Sequence, residues 1–266
     1  MKRKNLTVRN HSPPTSWDDI ADWYDGWMGQ DGGAYHRQVA IPALLDLLQP
    51  VAGERVLDIG AGQGVVASVL QEAGMVYVGL ETSSKLVRQA RKRHPNGRFL
   101  QGDARSLAQV KGINAASFDT AVFLLSIQDI YPLDAVLRSV AWALKPGGRL
   151  VILMTHPCFR VPRQSGWGWD KQRKLRYRRI DRYLTALGVP MKAVKQNGRS
   201  TKSFHRPLQT YINGLAACGL LVDRVKEIPL RDVDRLANGR LKANKRASAE
   251  IPLFLGIRAR KLSPNL

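Results

Sequence analysis

From Arg55 onward the chain alternates short apolar runs with longer stretches of helical character, the pattern of strands separated by helices. Arg55 to Ile59 reads as a strand. A glycine-rich segment over 60–64 follows, and then a helix to about Ala73. Met75 to Leu80 is the next strand and Ser83 to Arg93 the next helix. Ser83 or Ser84 caps that helix, and His94-Pro95 ends it. Arg98 to Leu100 is a short strand. Phe118 to Leu125 is almost wholly apolar, as a central parallel strand covered on both faces must be. A helix is expected from Pro132 to Leu144. Lys145-Pro-Gly-Gly148 then turns the chain into a buried strand, Arg149 to Thr155. Such alternation implies a parallel sheet with right-handed crossovers.

The rhythm breaks at both ends of this stretch. Ser16 to Gln49 reads as helical and aromatic, with Gly32-Gly33 separating two pieces and Pro42 starting or kinking the second. His156 to Ser203 is polar, basic and rich in Gly, Pro, Trp and Tyr. The α/β pattern returns with a helix at Pro207 to Cys218 and strands at Leu220 to Ile228 and Ile251 to Ala259, the two strands joined by a basic loop, Arg231 to Arg246. The expected organisation is a basic disordered tail over 1–15, a helical lid over 16–50 and an α/β core over 51–155. An inserted basic cap over 156–203 and a completion of the core over 204–266 follow. The break comes after the fifth strand, at the carboxyl edge of the sheet, where open α/β sheets bind ligands.

The chemistry concentrates at strand ends. Val56-Leu-Asp-Ile-Gly-Ala-Gly-Gln-Gly64 places glycines where the backbone turns sharply and approaches a ligand. Their spacing is Gly-x-Gly-x-Gly, and Val65 stands where a dinucleotide fingerprint has its third glycine. The loop therefore suits a ligand without phosphates. Asp58, just before the first glycine, would repel pyrophosphate and attract an ammonium. Glu81 ends the second strand, where a carboxylate accepts ribose hydroxyls. Asp103-Ala104, after the third strand, pairs an acceptor for an exocyclic amine with a small residue beside a flat ring. An acid at one strand end is weak evidence. Three at successive strand ends behind such a loop are much stronger.

With these residues in view, the chain resembles the class I S-adenosylmethionine-dependent methyltransferases. The resemblance rests on Val56 to Gly64, Gly79-Leu-Glu81, Gln101-Gly-Asp-Ala104, Phe118 to Asp129 and Leu144 to Leu153. It covers about Trp17 to Leu153 and resumes in the last third. It is nearest to the ubiquinone- and menaquinone-biosynthesis and small-molecule methyltransferases. The resemblance implies a doubly wound, seven-stranded, mostly parallel sheet with a reversed last hairpin, and S-adenosylmethionine as cofactor. It also implies that Gly60, Ala61, Gly62 and Gly64 line the cofactor. Asp58 would face the amino-acid end, Glu81 with Thr82 the ribose, Asp103 with Ala104 the adenine, and Leu125 and Ser126 the methionine moiety. Members often lay an N-terminal helix with a Tyr-Asp pair over the site, the region here of Tyr24, Tyr35 and His36. Many small-molecule members carry a histidine pair after the fourth strand; here the residues are Ile127-Gln128-Asp129. The Asn/Asp-Pro-Pro-Tyr motif of base-amine methylation is absent.

The inserted cap supplies the remaining candidates. His156 follows a buried strand directly and is the candidate proton acceptor, beside Tyr24. Trp167 and Trp169 are candidates for an aromatic pocket, with Gln128, Tyr35, His36 and His205 around it. The expected reaction is O- or N-methylation of a small aromatic or acidic metabolite in a capped pocket.

Charge widens the choice of partner. The chain has 42 Lys and Arg against 21 Asp and Glu, a formal net charge of +21. Lys171 to Arg182 interleaves bases with Tyr177, as phosphate-gripping surfaces do. Methylation of rRNA or tRNA, or RNA binding without turnover, are therefore the alternative readings. Cys158 and Cys218 lie far apart and lack metal-ligand spacing, so neither a disulfide framework nor a metal site is expected. Reduced cysteines, the lack of an apolar run of membrane-span length and a Met1 to Asn10 segment unlike a signal peptide point to a cytoplasmic protein. The pattern does not indicate an oligomeric state.

Overall fold

The structure, a computed structural model, describes residues 17–22, 26, 33–191, 201–230 and 241–263. Its centre is a seven-stranded sheet. Strands β1 (Arg55–Ile59), β2 (Val76–Glu81), β3 (Arg98–Gln101), β4 (Phe118–Leu124) and β5 (Leu144–Thr155) run parallel. They are joined through α2 (Ala67–Glu72), α3 (Ser84–Arg93) and α4 (Leu133–Ala143), preceded by α1 (Ile41–Leu48). Strands β6 (Ser165–Asp170), β7 (Leu175–Ile180), β8 (Leu187–Pro190) and β9 (Lys202–His205) form two hairpins outside the sheet. After α5 (Leu208–Ala217), β10 (Leu220–Ile228) leads through α6 (Leu241–Glu250) to β11 (Phe254–Lys261). The sheet order is β10-β11-β5-β4-β1-β2-β3, with β11 antiparallel to both neighbours. This is the doubly wound sheet with a reversed last hairpin. Its strand order reverses between β1 and β4, and that switch point opens a crevice at the carboxyl ends of the strands.

Both faces of the sheet are apolar because helices cover both. Side chains alternate along each strand, so β1 sends Val56 to one face and Leu57 and Ile59 to the other. Leu57, Ile59, Phe123 and Ile152 pack with Val136, Leu137 and Val140 of α4 and with Tyr211 and Leu215 of α5. Val56, Val122 and Val151 pack with Leu44 and Leu47 of α1, Leu70 of α2 and Val87 of α3. Ser83 caps α3 as expected, its hydroxyl accepting from the Leu86 amide at 3.2 Å.

Several elements differ from the sequence expectation. Lys145-Pro-Gly-Gly148 lies inside β5 rather than before it. Phe118 pairs with Leu144 and Thr120 with Arg149, so the intervening residues bulge out, with Gly147 at φ +73° supplying the left-handed position. The second N-terminal piece is continuous from Ala34 to Leu48. A π-helical turn, His36–Ala40, precedes Pro42, and the Ile41 amide reaches back to the His36 carbonyl. The expected basic loop from Arg231 is helical from Leu241 (α6), where Leu, Lys, Arg and Ala favour helix despite the charge. The helix packs against β7. The expected boundary between residues 203 and 204 falls inside β9, because Ser203, Phe204 and His205 pair with β8.

Candidate functional site

The ends of β1 and β4 are laced together. The Ser126 hydroxyl donates to the Ile59 carbonyl at 2.6 Å, and a Cβ on Gly60 would come within 2.6 Å of the Ser126 Cβ. Gly60 also sits at φ +72°, so glycine is required twice over. The Gly60 and Ala61 amides donate to the Leu80 carbonyl at 2.8 and 3.0 Å, drawing the loop over the end of β2.

There Glu81 is buried, and its carboxylate joins two segments. One oxygen accepts from the Gly62 amide at 3.0 Å and the other from the Ser83 amide at 2.9 Å. Burial raises its pKa, while these amide bonds pull the other way. Each carboxylate oxygen has two lone-pair directions, so accepting capacity remains.

A cavity of about 790 Å³ opens from this point. Gly60, Gly62, Glu81, Thr82, Asp103, Ala104, Leu125 and Ser126 line it, together with His36 and Gln128 of the other candidates. Asp103 does not stand free there. Arg105 binds it through the backbone amide at 2.9 Å and through the guanidinium. Burial pushes the Asp103 pKa up, but the Arg105 bonds outweigh it and hold the group below the usual carboxylate range.

Asp58, Ala61 and Gly64 are not in the lining. Asp58 shares its face of β1 with Val56. It is buried beneath the loop and accepts from the Tyr77 hydroxyl at 2.7 Å. Burial pushes its pKa up to about 7, against the Tyr77 bond and with a smaller contribution from Glu81. A Cβ on Gly64 would meet the His94 and Phe99 rings at 2.8 Å, so this glycine serves packing against the end of α3.

The cap candidates His156, Trp167 and Trp169, together with His205 and Tyr35, also stand outside the lining. His156 is buried with both ring nitrogens engaged. Nδ1 accepts from the Cys158 amide at 3.2 Å, which puts the proton on Nε2, 2.8 Å from Glu227. No lone pair is left to take a substrate proton. Burial lowers its pKa although Glu227 opposes this. His205 Nε2 contacts the Tyr183 carbonyl at 2.6 Å and so serves as a structural donor. Trp167 and Trp169 lie on the β6–β7 hairpin, and Tyr35 is exposed. Tyr24 lies outside the described residues.

The far end of the cavity is built from residues the sequence did not single out. Tyr131 and Phe204 stack at 5.2 Å between ring centres. Met191 and Lys202 from the second hairpin and Thr155 at the end of β5 complete the wall, and Trp17 also lines the cavity. Asp129 lines it too. Asp129 Oδ1 and Gln128 Oε1 are buried acceptors without a hydrogen-bond partner in the structure. Burial pushes the Asp129 pKa up to about 7, opposed by a bond from Ser203 and by the charge of Arg206. Arg206 holds this turn in place by donating to the Ile127 carbonyl at 3.4 Å and to the Ile130 carbonyl. The Gln128 amide nitrogen donates to the Leu125 carbonyl, fixing which end of the side chain remains unpaired. Gln128 is among the pocket candidates of the sequence, whereas Asp129 enters it only where a histidine pair is lacking. A polar pair directly after a central buried strand was the available signal.

Among the described residues no cluster of His, Cys, Asp and Glu could hold a metal ion, and no helix is long and apolar enough to cross a membrane.

Comparison with known proteins agrees with this geometry. Residues 57–152 match the family described as a methyltransferase domain. The demethylmenaquinone methyltransferase of Beutenbergia cavernae is 31% identical over 226 residues, covering 83% of this chain and 85% of that protein. The ubiquinone biosynthesis O-methyltransferase of Xylella fastidiosa is 27% identical over 140 residues, covering 51% of this chain and 56% of that protein. The crystal structure of an S-adenosylmethionine-dependent methyltransferase from Mesorhizobium loti matches with a TM-score of 0.67 at 29% identity, covering 87% of this chain and all of that one.

Proposed function

The chain belongs to the class I S-adenosylmethionine-dependent methyltransferases, and on that premise we propose that it methylates a hydroxylated aromatic metabolite of the quinone-ring kind. The observation that carries this reading is one cavity running from the glycine loop and Glu81 to the Tyr131–Phe204 wall. Gln128 and Asp129 line it, and each holds a buried acceptor without a partner, Gln128 Oε1 and Asp129 Oδ1. A volume near 790 Å³ sits high in the range of roughly 300–1,000 Å³ usual for ligand pockets, as a site for two molecules requires.

The residues present fit the cofactor. Glu81 is a buried carboxylate with accepting capacity left for ribose hydroxyls. Gly60 and Gly62 would admit close approach, and Asp103 with Ala104, both in the lining, would border its adenine. When bound, S-adenosylmethionine supplies a methyl group activated as a sulfonium. The protein's own task is to orient the acceptor, exclude water and accept a proton where the nucleophile is a hydroxyl. Tyr131 and Phe204 offer a flat wall to an aromatic ring. Gln128 Oε1 and the ionised Asp129 carboxylate only accept, so they select an acceptor molecule that donates. Asp129 takes the hydroxyl proton, and Lys202 gives the same wall a positive charge suited to an acidic substituent. The relatives' acceptors are quinone precursors by name, which supports an aromatic acceptor here.

The test is label transfer. Wild-type protein is incubated with cofactor labelled in the methyl group and with cell extract separated into lipid, small-molecule and RNA fractions. Label should enter an aromatic compound of the lipid or small-molecule fraction. Label in RNA alone would overturn the acceptor assignment while leaving the family intact.

A further inference from the structure

The β6–β7 hairpin carries a second cluster outside the cavity. Antiparallel pairing puts Trp167 opposite Arg178 and Trp169 opposite Arg176, so two indoles and two arginines share one face. Arg160, from the turn before β6, joins them. The guanidinium carbons of Arg176, Arg160 and Arg178 lie 4.2, 5.2 and 5.3 Å from the centre of the Trp167 ring. Cation–π contact accounts for a guanidinium on an indole. It does not account for three on the same one. All three lie around a single ring centre, within about one Debye length of ~10 Å of one another, so they repel.

Among the described residues no carboxylate pairs with Arg160 or Arg178. Arg178 donates to neutral partners, the Phe159 carbonyl at 2.7 Å and the Ser165 hydroxyl at 2.8 Å. Arg160 Nε is buried and has no hydrogen-bond partner. Asp170 and Asp181, the acids of this hairpin, are engaged by Arg173 and Arg179. Burial, followed by the charges of Arg178 and Arg176, lowers the Arg160 pKa to about 10.

We propose that Arg160, Arg176 and Arg178, gathered on Trp167, form a binding site for a phosphate group. Phosphate presents several strong acceptor oxygens, and guanidinium forks match them bidentately, which an ammonium cannot do. The indole limits how far the guanidiniums can turn and so pre-orders their donors. The same chemistry occurs on a soluble phosphate and on an anionic lipid headgroup, and the probes below separate the two. The inference does not depend on which acceptor is methylated.

The primary variant is Arg160→Gln, which leaves the Arg178 bonds to Phe159 and Ser165 in place. Arg173→Gln removes the same charge from a more exposed position of the hairpin and serves as the control. Pyrophosphate is titrated calorimetrically into wild type and both variants. Vesicles of phosphatidylcholine, with and without phosphatidylglycerol, are tested by flotation, with pyrophosphate as competitor. S-adenosylmethionine affinity, measured on each protein, reports an intact fold. Saturable pyrophosphate binding that Arg160→Gln weakens by about tenfold or more, while Arg173→Gln leaves it nearly unchanged, supports the site. Flotation with phosphatidylglycerol vesicles that pyrophosphate displaces assigns the site to a headgroup; pyrophosphate binding without flotation assigns it to a soluble phosphate. Equal weakening in the two variants, or no saturable binding of either probe, overturns the proposal. If Arg160→Gln fails to fold, Arg160→Lys keeps the charge without the fork. Its retention of full affinity would overturn the proposal equally.

Discussion

The Tyr77 hydroxyl donates to the Asp58 carboxyl at 2.7 Å, beneath the glycine loop and away from the cavity. The pair ties neighbouring strands β1 and β2 just before the chain turns into the loop. Burial pushes the Asp58 pKa up to about 7, well above its ordinary value. A carboxyl group raised in this way favours the folded state most when protonated. Its contribution is complete below the ordinary pKa of about 3.9 and is lost as pH rises through about 7. Urea unfolding of wild type and Asp58→Asn should therefore diverge over that window. Wild type should lose up to roughly 4 kcal/mol relative to the variant as pH increases. Parallel curves would show that Asp58 titrates in the folded state as it does in the unfolded chain.

Glu81, at the end of β2, should matter more to the cofactor than any single residue of the glycine loop, because it touches two segments at once. Glu81→Ala removes the acceptor of the Gly62 and Ser83 amides as well as the acceptor offered to the ribose. Calorimetry should show S-adenosylmethionine affinity falling by about 1–3 kcal/mol, with Glu81→Gln losing less. Unchanged affinity in both variants would remove Glu81 from the site.

The two carboxylates also show what was legible in the sequence and what was not. Glu81 could be placed because strand β2 is a plain apolar run and its last residue must emerge at the crevice. Asp58 could be placed in β1 but not oriented. Its direction depends on the period-two alternation that sets it on the same face as Val56, and on Tyr77 from the next strand being there to receive it. The parallel core was readable because buried strands are locally apolar. The cap hairpins were not, since β6 to β9 carry polar and aromatic residues whose pairing is decided by distant partners. The wall opposite Glu81 joins Gln128 and Tyr131, after β4, to Phe204 of β9, and no local pattern announces such a meeting. His156 shows the reverse error. Its position after a buried strand suggested catalysis, but Cys158 and Glu227 occupy both nitrogens.

Asp18 ties the N-terminal segment to the start of α3. Asp18 accepts from the Ser83 hydroxyl at 2.6 Å and from the Lys85 amide at 3.1 Å, at the start of α3, and its neighbour Trp17 lines the cavity. Asp18→Ala should free Trp17 from that lining. Cofactor affinity should drop by about 1 kcal/mol, and proteolysis should cut near Trp17 faster than in wild type. An identical digestion pattern and an identical affinity would show that this segment is held by other contacts.

His156 and Asp129 should separate in a methyl-transfer assay. His156→Asn loses the bonds to Cys158 and Glu227, so it should lower stability by about 1–2 kcal/mol and leave transfer largely intact. Asp129→Asn keeps the shape of the side chain but cannot take a proton. If a hydroxyl is the nucleophile, transfer into the labelled fraction should fall by about 10²–10⁴-fold, with cofactor affinity unchanged. The pH dependence gives an independent readout. Asp129 must be ionised to act as a base, and its pKa of about 7 is set by burial, with Ser203 and the Arg206 charge lowering it. Burial raises the Tyr211 pKa above its ordinary value, so this neighbour does not titrate near neutrality. The wild-type rate should thus climb as pH rises through about 7 and level off above it, while the Asp129→Asn rate stays flat across the same range. A variant with the wild-type rate and the wild-type profile would show that Asp129 does not receive the proton and that solvent takes it instead.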